Sequence, residues 1–162
     1  MQHLLAYRDS LTGLRNTNSY KAWVTDFDKE IGNVDFGVMV LDINYLKETN
    51  DSYGHDVGNK LIIAASQIIS GVFKRSPVFR IGGDEFLVIL QNRDLANLSE
   101  LFVKMDEECA NETVQAGEVN IPVSIAKGFA RFDSQTDSAF ADVFSRADDA
   151  MYENKRAIKG LK

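Results

Sequence analysis

Apolar positions recur along this chain with several spacings, and each spacing predicts a different element. Tyr20, Trp23, Val24, Phe27 and Ile31 fall at i, i+3, i+4 intervals, which predicts an amphipathic helix capped by Asn16 or Asn18 and ending near Gly32. Phe36 to Leu41 is a short, almost wholly apolar run, the pattern of a strand buried on both faces, and it delivers Asp42 at its C-terminal end. A polar turn through Asn50 and Gly54 is expected next. A second helix then starts near Asp56, with Val57, Leu61, Ala64, Ala65, Ile68 and Val72 as its stripe. Val78 to Ile81 and Phe86 to Leu90 read as the strands of a hairpin whose turn is Gly82, Gly83, Asp84 and Glu85. Leu98, Leu101, Phe102, Met105 and Cys109 predict a third helix. Val119, Ile121, Val123 and Ile125 alternate like a strand, which Pro122 assigns to an edge or a bulge. Phe140, Val143, Phe144, Ala147 and Met151 form the stripe of a last helix, and Asp148, Tyr152, Lys155 and Lys159 share another of its faces. The mixture predicts an α/β fold, an α+β sandwich.

Composition narrows the function classes. The 162 residues suit one domain over 1–162, with no internal repeat, linker or low-complexity stretch. A formal charge of −6 repels polyanions, so nucleic acid is excluded as the main partner. A small phosphorylated ligand stays compatible, because a metal ion and a few lysines reverse the field locally. The single cysteine, Cys109, excludes an internal disulfide and a Cys-rich zinc site, and it suits a reducing cytoplasm. No apolar run approaches the roughly 20 residues of a membrane helix, so no membrane contact is expected of this segment.

The candidate chemistry is acidic. Asp42 at a strand end and the pair Asp84 and Glu85 at a tight turn are oxygen ligands of the kind Mg²⁺ takes when it also holds substrate phosphates. Gly82 and Gly83 would allow a left-handed turn and close approach of a nucleotide. Spacing alone leaves the alternative open, in which the turn is simply polar and Asp42 is a capping residue.

The run Arg80-Ile-Gly-Gly-Asp-Glu-Phe86 resembles the signature of GGDEF domains, the diguanylate cyclases. Asp9-Ser-Leu-Thr-Gly-Leu-Arg-Asn16 resembles the family's opening motif. Leu41-Asp-Ile-Asn-Tyr-Leu-Lys-Glu-Thr-Asn-Asp51 is similar to its metal and nucleotide segment, and Gly54-His-Asp-Val-Gly-Asn59 to the segment after it. Ala147-Asp-Asp-Ala-Met-Tyr152 with Lys155 resembles the closing helix. These motifs stand in order from about Asp9 to Lys159.

The resemblance implies a palm-like fold, similar to that of nucleotide cyclases and polymerases, with a central, mainly antiparallel sheet flanked by helices. It implies condensation of two GTP molecules into cyclic di-GMP with release of pyrophosphate, at the interface of a transient head-to-head homodimer. By carry-over, Asp42, the Ile43 carbonyl and Asp84 hold Mg²⁺, with Mn²⁺ as a substitute, and Glu85 assists or organises the turn. Asp84 is also the usual proton acceptor. Lys47, Lys155 and Lys159 contact phosphates, as do the backbone amides of Asn44, Tyr45 and Leu46. Asn50 and Asn59 contact the base, and His55 supports the nucleotide. The family's domains are usually fused to an upstream sensory or regulatory domain, so an excised catalytic domain in the cytoplasm is expected, its parent in some cases membrane-anchored.

Several residues depart from the family pattern. Asn59 replaces an aspartate that accepts two guanine N–H groups, which puts guanine selectivity in question and opens two alternatives: relaxed purine specificity, or a weak or inactive GTP-sensing module. Phe73-Lys-Arg-Ser76 lacks the Arg-x-x-Asp of the product-inhibition site. Lys159 replaces an arginine and loses its bidentate fork.

Overall fold

The computed structural model describes residues 6–160. In chain order its elements are helix α1 (Thr17–Lys29), strand β1 (Gly37–Ile43), α2 (Leu46–Tyr53), α3 (His55–Val72), β2 (Val78–Arg80), β3 (Glu85–Leu90), the short α4 (Asn92–Ala96), α5 (Leu98–Ala110), β4 (Thr113–Ala116), β5 (Val119–Pro122), β6 (Ile125–Arg131) and α6 (Phe140–Ile158). The main sheet has the order β2-β3-β1-β6 with every neighbour antiparallel, and β4 and β5 form a separate two-stranded ribbon.

Alternation along β1 assigns its side chains to two cores. Val38 and Val40 share one face with Leu87 and Ile89 of β3, and Phe27 of α1 and Phe140, Val143, Ala147 and Met151 of α6 close over them. Met39, Leu41 and Ile43 face the other way with Phe86 and Val88, against Leu61, Ala65, Ile68 and Ile69 of α3 and Met105 of α5. Each such side chain contributes about 1.5–3 kcal/mol when buried, so a register slip of one residue would expose a whole face. By the same parity, Asp42 and Glu85 belong to the α6 face.

Helix α6 reaches that face because β6 presents only small residues to it. A Cβ on Gly128 would lie 2.0 Å from the Met151 amide nitrogen and 2.3 Å from the Ala147 carbonyl, so helix backbone rests directly on strand backbone. Ala126 and Ala130 flank the contact and are buried. The Asn154 side chain completes the seam, its Oδ1 accepting the Lys127 amide on the outer edge of β6 at 2.9 Å.

Several sequence expectations are corrected. The stretch expected as a polar turn is α2: only Leu46 and Thr49 of its eight residues are buried, so it carries almost no apolar period. The single strand expected over Val119 to Ile125 is broken after Pro122, and the main strand is β6, whose edge position and Lys127, Gly128 and Arg131 hide it. Helix α1 stops at Lys29, before Gly32, while its expected cap Asn16 is in place, its side chain accepting the Ser19 amide at 3.1 Å. Among the described residues no helix is long and apolar enough to cross a membrane.

Candidate active site

Asp42 stands one residue before the end of β1 and pairs in register with Glu85, the first residue of β3. Glu85 is therefore a strand residue, not part of the turn. The Ile43 amide donates to the Asp84 carbonyl at 2.9 Å, which holds the turn against the strand end. From α6, Lys155 Nζ donates to Asp42 Oδ2 at 3.0 Å, with the two side chains 21% and 14% exposed.

The turn is braced from outside. The amides of Ile81 and Gly82 donate to the Glu85 carbonyl at 3.0 and 3.3 Å, and Arg80 Nη2 donates to the Gly83 carbonyl at 2.9 Å. Neither Gly82 nor Gly83 adopts a positive φ, which corrects the expected left-handed turn. Both glycines are exposed, and a Cβ on Gly83 would meet nothing within 4 Å.

Burial is the main electrostatic feature. It pushes the Asp42 carboxyl up to about 6, with Asp84 acting in the same direction and Lys155 opposing it. Burial likewise pushes Glu85 up to about 6, followed by repulsion from Asp148, Asp42 and Asp84. Asp42 Oδ1 is buried with no hydrogen-bond donor among the described residues. A divalent cation fits this arrangement, since it would satisfy the orphaned oxygen and offset the crowded carboxylates. Among the described residues no three acidic, histidine or cysteine side chains form a ready cage.

Beside the acids, α2 opens without a side-chain cap, preceded by Tyr45 in the left-handed region at φ 65°. Its first-turn amides, including those of Leu46 and Lys47, point out of a helix N-terminus. Asn44 does not join them: its amide donates to the Ser124 carbonyl at 2.8 Å and its Nδ2 to Ser124 Oγ at 2.9 Å, which corrects the expected phosphate contact. Lys47 is exposed, and Lys159 Nζ lies 5.2 Å from the centre of the Tyr45 ring.

Asn50 near the end of α2 meets Gly58 of α3, while His55 and Asn59, the first and fifth residues of α3, are exposed. Sequence reasoning missed Ser124 and Asn154, which anchor the loop after β1 and the edge of β6. It grouped Asp148 with Lys155 by helical spacing without seeing that the charge of Asp148 helps push the Glu85 carboxyl up.

Residues 6–160 match the family model described as "Diguanylate cyclase, GGDEF domain". Among curated proteins, the chain is 29% identical over 155 residues to the diguanylate cyclase DgcP of Escherichia coli, covering 93% of this chain and 45% of that protein. It is 30% identical over 158 residues to the cyclic di-GMP phosphodiesterase PdeR of the same species, covering 97% of this chain and 24% of that protein. The chain thus spans less than half the length of these relatives. Among solved structures, the coiled coil and GGDEF domain of DgcB from Caulobacter crescentus superimposes with a TM-score of 0.85 at 24% identity, over 96% of this chain and 84% of that one. The ordered motifs, the antiparallel sheet between two helical layers and the family match agree: this chain belongs to the GGDEF domain family.

Proposed function

We propose that this domain is a diguanylate cyclase that condenses two GTP molecules into cyclic di-GMP and releases pyrophosphate. The observation that carries this reading is the buried, donorless Asp42 Oδ1 beside Asp84 and Lys155, in a chain of this family. Asp42, Asp84 and the Ile43 carbonyl would hold Mg²⁺, or Mn²⁺ in its place, with remaining positions left to phosphate and water. When bound, the metal neutralises the triphosphate and acidifies the attacking ribose 3′-hydroxyl. Asp84 accepts that proton, and Glu85 organises the turn from its place opposite Asp42. The amides of Tyr45, just before α2, and of Leu46 in its first turn, with Lys47, Lys155 and Lys159, take the phosphates. Asn50 and Asn59 face the base and His55 supports the nucleotide. Each protomer of a head-to-head homodimer contributes one GTP, and an upstream sensory or regulatory domain would set how often two half-sites meet. The setting is the cytoplasm, where GTP is found.

The test is incubation of the domain at high concentration with Mg²⁺ and equal GTP and ATP, with products identified by chromatography and mass spectrometry. Cyclic di-GMP alone is the expected result. A mixed purine dinucleotide would move the reading to relaxed specificity through Asn59, and GTP binding without product would move it to a sensing module.

A further inference from the structure

Asn50 and Gly58 meet at the corner between α2 and α3. A methyl group on Gly58 would lie 1.7 Å from Asn50 Oδ1 and 2.8 Å from its Cγ, far inside any real contact. The carbonyl end of the Asn50 amide therefore occupies the space that any other residue's Cβ would fill. The corner is fixed by backbone bonds: the Gly54 amide donates to the Asn50 carbonyl at 2.9 Å, and the Gly58 amide to the Gly54 carbonyl at 3.2 Å. Gly54 itself has φ 89°, which suits glycine. Asn50 Oδ1 is buried there, with no hydrogen-bond donor among the described residues.

We propose that Gly58 is a positioning residue for base recognition. By admitting the end of the Asn50 amide against its Cα, it sets where that amide stands for the purine to meet. The inference rests on the reading of Asn50 as a base-contacting residue and adds what orients it.

The clash falls on the far end of a side chain, not on backbone, and alanine favours the helix, so Gly58→Ala should fold. It should raise the KM for GTP about tenfold with kcat changed less than about threefold, the pattern of lost uniform binding. Gly71→Ala in the same helix, where a Cβ meets nothing within 4 Å, should leave both constants unchanged. In an Asn50→Ala background, where no amide remains to displace, Gly58→Ala should change KM less than about twofold. An unchanged KM in Gly58→Ala, or the same penalty in both backgrounds, overturns the proposal. Calorimetric titration with a non-hydrolysable GTP analogue separates the two readings. A wild-type domain that does not bind it overturns the function along with this inference, whereas equal binding by wild type and Gly58→Ala overturns the role of Gly58 alone.

Discussion

Arg80 Nη1 reaches both carboxylate oxygens of Asp9, at 3.1 and 3.2 Å, across 71 positions of sequence. The same guanidinium holds the Gly83 carbonyl, and Asp9 Oδ2 also accepts the Thr12 amide and hydroxyl at 2.9 and 2.7 Å. The opening motif is thus the brace of the acidic turn. It is also tied in by backbone: the Arg15 amide donates to the Val78 carbonyl, and the Arg80 amide to the Arg15 carbonyl.

Asp9→Asn should therefore lower stability at pH 7 by about 1–3 kcal/mol, the range for a charge-assisted hydrogen bond. Burial raises the Asp9 carboxyl, but Thr12 and Arg80 outweigh it and hold it below the ordinary value of 3.8. The contribution is then present above 3.8 and is lost as pH falls through the lower folded value. Urea denaturation of both proteins across pH 3 to 7 should show the gap closing only at the acid end. A gap independent of pH would mean that the charge is not what stabilises the turn.

Asp84→Asn should abolish cyclic di-GMP formation while leaving the circular dichroism spectrum native, because Asp84 lies on a turn outside both cores. Lys155→Met should keep its stem packed but lower turnover about a hundredfold or more, by removing the cation from Asp42 and the phosphates. Near-normal product from either variant, read by chromatography, would remove that residue from the mechanism.

Gly128→Ala should be the most damaging small change. Its methyl would strike the backbone of α6 at Met151 and Ala147, which cannot rotate away as a side chain can. A loss of about 1–3 kcal/mol or more is expected from overpacking, and turnover should fall with it because α6 carries Lys155. Denaturant titration and turnover measured together would check this, and a stable variant with unchanged activity would mean that α6 can shift without consequence.

Asn59→Asp should raise selectivity for GTP over ATP about tenfold or more, since a carboxylate accepts two guanine N–H groups where an amide offers one acceptor. Asn59 is exposed on α3, so stability should hardly change. Competition between the two nucleotides in one mixture reads the ratio directly, and an unchanged ratio would take Asn59 out of base recognition.

The sequence alone determined the elements whose burial is periodic. β1 is apolar on both faces because both are covered, and α3 and α6 show their stripes because one side of each packs on the sheet. The acidic motif residues were legible as residue types at strand ends and turns. Helix α2 was not, because a polar helix with two buried residues owes its form to its neighbours rather than to an apolar period. Nor was β6, an edge strand whose small face exists to admit α6. Only the tertiary structure decided which distant groups meet. Lys155 reaches Asp42 across 113 positions and Asn44 reaches Ser124 across 80, pairings that depend on antiparallel register and on how closely α6 approaches β6. Residue type and local spacing contain the chemistry each group can perform, whereas the partner that tunes it is chosen by packing over long sequence separations.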